Sequence, residues 1–444
     1  MFFPSQDPSR TLATSLGTLA STPAQPLHHF SLANGLTVYL REDHRVPQAS
    51  VQLWYHVGTS HEPNGHSNLS HLLEHLIFQG SSKLAPGQYS RILGQLGGQS
   101  NASTRDDATV FDVTLPSARV EVALEIMADT MASARLDPAE FELERKTVDD
   151  ERRLKFDNAP DQLAYDRHLS LAHGDSPYGA PVFGHAIDLA EMTLDTARTW
   201  YASWYHPNNA TLVVVGAVTA QQLRQWVERQ FGGLPAVAVR AQPIPRHSAA
   251  LTERRQNLTL QGLRDGLFMS FNTPSLTTAT SPQTVHALRL AVEVLAQGFS
   301  SRLYGQLVRD KPVFNGISAD YDFLRRGDTL LTLSAYSNPA TGTPQQAAEQ
   351  VLGILDEARQ TPFSAEVLQR AKLRLMARQI YARNSFQAQS EVLGRHAIGG
   401  RNPALADDEL QLIEQTRADH VQQALQDCLS RQRLTLTTFQ GAQP

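Results

Sequence analysis

His71-Leu72-Leu73-Glu74-His75 places two imidazoles and a carboxylate within five residues. Residues four apart in a helix lie on one face, one turn from each other. At that spacing both imidazoles can reach a single Zn²⁺ at about 2.0–2.1 Å. Glu74, adjacent to His75, stands where a carboxylate can take a proton from a metal-activated water. The order is H-x-x-E-H, the inverse of H-E-x-x-H. A histidine pair on a helix can also be surface decoration, and five residues can match by chance. The flanks argue against that. Leu72, Leu73, Leu76, Ile77 and Phe78 make the helix apolar nearly all round, so it is expected to be buried. Buried ionisable groups need a cation or a hydrogen-bonded network to satisfy them.

Catalytic zinc has three protein ligands and one open position, so one ligand remains to be found. The acidic run from Glu140 to Glu151 supplies candidates. Glu144 and Glu151 are seven apart and share a helix face. The bland alternative is a solvated charged helix, which Glu142, Asp149 and Asp150 fit well. Spacing alone does not choose between Glu144 and Glu151.

These residues need a scaffold. Phe30 to Leu40 reads as a hairpin with Asn34-Gly35 at its turn, and Val51 to Val57 as a strand. After the His71 helix, a second helix is expected from about Pro86 to Leu96, stopped by Gly97-Gly98. Two strands flank Arg105-Asp106-Asp107. Helical patterns cover about 117–134, 138–156 and 159–173, another helix ends near Trp204, and Thr211 to Val215 reads as a buried strand. The layout is α+β, with a mixed or antiparallel sheet packed by helices.

The chain has 444 residues, too many for one ordinary core. The second half looks like the first. Gln79-Gly80-Ser81-Ser82-Lys83-Leu84 is similar to Gly298-Phe299-Ser300-Ser301-Arg302-Leu303, and Pro138-Ala139-Glu140 to Ser364-Ala365-Glu366. In the first register His71, Glu74 and His75 fall on Leu290, Glu293 and Val294. The pattern implies two similar domains from an internal duplication, of which only the first can hold metal. Residues 1–27 read as a flexible N-terminal arm, 28–233 as the metal-binding catalytic domain, 234–249 as a linker marked by Pro243 and Pro245, and 250–444 as the second domain.

Net charge is −5 with no long basic run, which argues against a nucleic-acid partner. Cys428 is the only cysteine, so a metal must be held by histidine and carboxylates. No stretch is apolar enough to span a membrane. Residues 4–26 are rich in Ser, Thr, Pro and Ala, with no signal peptide as written. The expectation is a soluble chain, periplasmic if a leader was trimmed and otherwise cytoplasmic.

Glu144-Arg145-Lys146-Thr147-Val148-Asp149-Asp150-Glu151 follows the H-x-x-E-H string at the distance seen in a known family. Gly97 to Thr104, Tyr178-Gly179 and Tyr205 to Gly216 are similar to that family as well. From about residue 28 onward the chain resembles the pitrilysin or insulinase-like zinc peptidases, in the branch of bacterial peptidases and mitochondrial processing peptidase subunits. The resemblance implies a zinc-dependent endopeptidase acting on extended or unfolded peptides, with one Zn²⁺ per chain. It assigns the third ligand to Glu151 and a supporting role to Glu144, with Glu74 as the base. It implies that Asn101 and Ala102, on a sheet edge, pair with the peptide backbone.

The family's second domain carries an Arg and, seven residues on, a Tyr that meet the substrate. Arg309 fits the Arg, but Gly316 stands at the Tyr position. The resemblance therefore implies the metal-bearing subunit of a heterodimer, completed by a homologous partner that supplies the Arg and Tyr. A homodimer is the runner-up. The competing reading is a non-catalytic structural or peptide-binding subunit of the same family. The four costly polar residues argue against it.

Overall fold

The computed structural model describes residues 17–18, 21, 23–181, 183–247 and 251–442. Most of the expected N-terminal arm lies outside the described residues. Eleven strands are present among them: β1 (Leu27–Ser31), β2 (Thr37–Glu42), β3 (Gln48–Tyr55), β4 (Gln99–Thr104), β5 (Thr109–Pro116), β6 (Ala210–Gly216), β7 (Arg254–Leu260), β8 (Gly266–Thr273), β9 (Phe314–Tyr321), β10 (Thr329–Ser337) and β11 (Leu434–Gly441). They form two sheets, ordered β1-β2-β6-β3-β5-β4 and β7-β11-β8-β10-β9.

Apart from β1, the second order repeats the first strand for strand. In both, the only parallel pair is the corresponding one, β2 with β6 and β7 with β11. The chain is thus two similar α+β domains, each a mixed sheet packed by helices. β1 and β2 pair as the expected hairpin, and Gly35 takes φ 89° in its turn, where a side chain would be strained. Segment 234–247 has no helix or strand. It is tied down all the same: Pro245 O accepts from Asp328 N–H, and His247 N–H donates to Asp328 Oδ2 at 2.9 Å. No helix of the described residues is long and apolar enough to cross a membrane.

The helix Leu69–Ile77 packs Leu69, Leu72, Leu73 and Leu76 into the first core. Its N-terminus lacks an ordinary side-chain cap, because Asn68 has φ 73° and its amide donates to Phe183 O. Glu62 takes over. Its two carboxylate oxygens accept from the backbone N–H of Asn68 at 3.0 Å and of Ser70 at 2.7 Å, satisfying donors that a helix start leaves open. The helix expected over 138–156 runs as an α-helix only from Pro138 to Arg152. Asp137 caps it, with Pro138 at its first position. A wide π-turn, Arg153–Asp157, follows Glu151 almost at once.

Two helices cross between domains. Pro160–His173, in sequence part of the first domain, lies on the second sheet, where His168 bonds Thr437 Oγ1 at 2.8 Å and Ser270 Oγ at 2.6 Å. Phe386–Ile398, from the second half, covers the first sheet and packs Phe386, Leu393 and Ile398 on Trp54, Val213 and Val215. The contact is close enough that a Cβ on Gly394 would lie 2.1 Å from Trp54 Cε2. The domains also meet where the β4–β5 turn faces the β9–β10 turn. Asp106 pairs with Arg325, and Asp107 with Arg326 at 3.0 Å. Tyr178 OH donates to Asp107 Oδ2 at 2.6 Å and accepts from Gly327 N–H at 2.8 Å. Each acid–arginine pair spans 219 residues, the separation of the sequence repeat, so equivalent turns pair about an internal pseudo-twofold.

Candidate active site

The helix Leu69–Ile77 sets His71 and His75 with ring centroids 4.9 Å apart and planes nearly perpendicular, at 87°. The helix Pro138–Arg152 brings Glu151 against both. Its Oε2 lies 3.7 Å from His71 Nε2 and 3.7 Å from His75 Nε2. Ligand atoms about 2.0–2.1 Å from one tetrahedral ion stand about 3.4 Å from each other. The three donor atoms all lie within 4.8 Å of one another, so a small contraction closes them around one cation. The residues fit a zinc ion.

Glu144 does not compete with Glu151 for that role. Its Oε2 accepts from His75 Nδ1 at 2.9 Å, and its Oε1 accepts from Gln79 Nε2 at 2.7 Å. A proton held on Nδ1 leaves the Nε2 lone pair for the metal. Glu74, largely buried, accepts from Thr104 Oγ1 at 2.6 Å through its Oε2. Thr104 ends β4, so the carboxylate beside the histidines is held by the sheet edge itself.

Electrostatics match this division. Burial, with the charge of His75 adding to it, lowers the His71 pKa to about 4, so the ring is neutral and able to ligate. Burial raises the pKa of Glu74, against the Thr104 hydrogen bond. At His75 burial opposes protonation, but the hydrogen bond and charge of Glu144, with Glu74 and Glu151 behind it, raise the pKa overall. Burial works against the charge of Glu151, yet Lys155 and the two histidines lower its pKa. Three carboxylates around two imidazoles leave a demand for positive charge, which a divalent ion meets.

A groove of about 230 Å³ opens beside Glu74 and His75 and is lined by Phe78, Asn101 and Ala102 among others. β4 is an edge strand of its sheet, so its outer backbone groups face away from β5 and can accept another strand. Asn101 and Ala102 are therefore brought to the site. Arg309 is not. It is exposed and pairs with the adjacent Asp310 at 2.9 Å. Gly316 lies on β9 opposite Tyr336, whose hydroxyl donates to Asp161 at 3.1 Å. Thr104, Gln79, Lys155 and Glu62 were not singled out in sequence. Gln79 and Lys155 had a local signal, since they follow His75 and Glu151 by one helical turn.

The second domain shows what replaces these groups. Matching buried Phe141, Glu144 and Val148 with buried Leu368, Ala371 and Leu375 puts Arg378 in the place of Glu151. Arg378 and Arg374 both pair with buried Glu293, the counterpart of Glu74. An arginine–glutamate cluster stands where the first domain gathers His71, His75 and Glu151.

Two family models match the chain: insulinase (peptidase family M16) over residues 37–185, and the peptidase M16 inactive domain over residues 191–375. A zinc protease, PqqE, from Helicobacter pylori is 27% identical over 398 residues, covering 88% of this chain and 87% of that protein. The crystal structure of a protease from Helicobacter pylori superposes with a TM-score of 0.87 at 23% identity, over 94% of this chain and all of that one. Pitrilysin superposes with a TM-score of 0.74 at 18% identity, over 96% of this chain but 46% of its own. The chain belongs to the pitrilysin/insulinase-like M16 family.

Proposed function

We propose that this chain is a zinc-dependent endopeptidase that cleaves extended or unfolded peptides, with His71, His75 and Glu151 as ligands and Glu74 as the general base. The observation that carries the reading is the convergence of His71 Nε2, His75 Nε2 and Glu151 Oε2 beside a buried, Thr104-held Glu74. The zinc-protease name of the Helicobacter relative supports it. When bound, a zinc ion supplies Lewis acidity, which makes a water more acidic and a peptide carbonyl more electrophilic.

The chain's own residues do the rest. β4 holds the substrate backbone extended beside the ligands, through main-chain hydrogen bonds at Asn101 and Ala102 that are largely indifferent to side chains. Glu74 takes the proton of the attacking water and passes it to the leaving amine. Thr104 fixes the carboxylate oxygen that is not needed for that transfer. Glu144 keeps His75 in the ligating tautomer. Arg309 is a candidate substrate contact, reached only if a substrate or a partner draws it from Asp310.

We infer further that a homologous chain completes the cleft. Gly316 offers no side chain to substrate, and Tyr336 across from it is already bonded to Asp161. Pitrilysin, about twice this length, supports a pairing of two such halves. To test the reaction, the purified chain is assayed on a flexible peptide with and without a chelator, beside Glu74→Gln. The expected result is cleavage that the chelator abolishes and Glu74→Gln lacks. Cleavage by Glu74→Gln at the parent rate would remove Glu74 from the base role.

A further inference from the structure

A half-open chamber of about 340 Å³ lies largely on the second domain, within the size range of small-molecule sites. It lies where the helices Ala365–Ala382 and Phe386–Ile398 meet the Pro403–Asp408 segment, the β9–β10 turn and the end of β2. Its place is the counterpart of the metal site. Arg378 stands in the position of Glu151, and in the 219-residue register Arg289 stands in that of Ser70. Where the first domain holds ligands, the second has opened a cavity.

Its wall has two characters. Phe323, Leu324, Leu375 and Val392 give it an apolar side. Arg41, Arg289, Arg378, Arg383 and Arg395 give it five guanidinium groups, against three carboxylates, Glu391, Asp407 and Glu409. Neighbours outside the wall take part in the pairing. Arg378 is held by Glu293, Arg395 by Asp322, and Glu391 by both arms of Arg105. Arg289 pairs with Glu409 at 2.9 Å. Arg41 Nη2 reaches both oxygens of Asp407 at 2.7 Å, and Asp407 also acts on Arg383.

Two buried polar atoms of residues in this wall have no hydrogen-bond partner, Glu409 Oε1 and Arg41 Nε. The first has help at hand, since His396 Nε2 lies 3.5 Å away. The second does not, and Arg41 is only 4% exposed. Burial lowers the pKa of Arg383, and the charge of Arg41 adds to that effect against Asp407. Two neighbouring guanidinium groups, Arg41 and Arg383, in a cavity with an arginine-rich side and an apolar side, suit an anionic acceptor on an apolar body.

We propose that this chamber binds a small organic anion with an apolar chain, a monocarboxylate whose head meets Arg41 and Arg383 and whose body lies against Phe323, Leu324, Leu375 and Val392. Arg41 belongs to the first sheet and the other contacts to the second domain, so the bound anion joins the two.

Calorimetric titration of the full chain with octanoate, octanol and octylamine tests this. Octanoate is expected to bind saturably, at least about tenfold more tightly than octanol, the gain of one charge-assisted hydrogen bond. Octylamine is expected not to bind. Arg383→Gln should erase the preference for octanoate over octanol. Arg41 is too deeply paired to substitute safely, so Val392→Trp serves as the second variant, filling the chamber while leaving every arginine in place. It should block octanoate with its circular dichroism spectrum unchanged. Absence of octanoate binding, equal affinity for octanol, binding of octylamine, or undiminished octanoate binding by a folded Val392→Trp would each overturn the proposal.

Discussion

Glu144 is proposed to act on the metal site through His75. Its Oε2 lies 2.9 Å from Nδ1, and that hydrogen bond decides which ring nitrogen is free to ligate. Glu144→Gln keeps an acceptor there but removes the charge. Zinc affinity is predicted to fall about 10–100-fold, the usual cost of losing such a supporting group, measured by competition with a chromogenic chelator. An unchanged affinity would mean that Glu144 does not orient the ligand. At this scale His71, Glu74 and His75 were legible because one helix carries them at fixed spacing. Glu144 and Glu151 were legible as a pair on one face, but spacing could not divide their roles. The division depends on how a second helix crosses the first, which no local pattern records. Thr104 was hidden for the same reason, since it meets Glu74 from a different element.

The element scale shows where periodicity stops being informative. The pattern over 159–173 announces a helix, and the helix Pro160–His173 is there. It does not announce that the helix lies on the second sheet, because an apolar face says that it is buried and not against what. His168 reports that docking. It is fully enclosed between Thr437 and Ser270, and burial lowers its pKa to about 3. The unfolded chain takes up this proton at about pH 6.5, so between about pH 6.5 and 3 the unfolded state binds more protons. Stability attributable to His168 is therefore complete above that window and lost as pH falls through it, by up to about 1.4 kcal/mol per pH unit. Denaturant unfolding at pH 7, 6 and 5 should show His168→Gln less stable than the parent at pH 7 but less sensitive to acid. Parallel pH profiles would contradict the assignment.

For the whole molecule, the duplication was visible in a few short matches around Ser81-Ser82 and Ser300-Ser301. The repeated strand order and the Asp106–Arg325 and Asp107–Arg326 pairs show how far it extends. The reciprocal exchange of helices was not legible, since it is a property of the assembled sheets. Duplication followed by divergence left one cluster of potential metal ligands, one arginine–glutamate cluster, and a β9 edge whose Gly316 offers no side chain. The chain alone is accordingly predicted to cleave peptides slowly, and mixing with a homologous chain that carries the Arg and Tyr should raise the rate. Full activity of the isolated chain, without further stimulation, would argue for a self-sufficient enzyme. All of this rests on a metal held by three side chains from two helices. Zinc content by atomic emission, after reconstitution and desalting, tests that claim most directly. The account predicts one zinc per chain in the parent and in Glu74→Gln, and its loss in Glu151→Ala. Zinc retained by Glu151→Ala, or absent from the reconstituted parent, would contradict it.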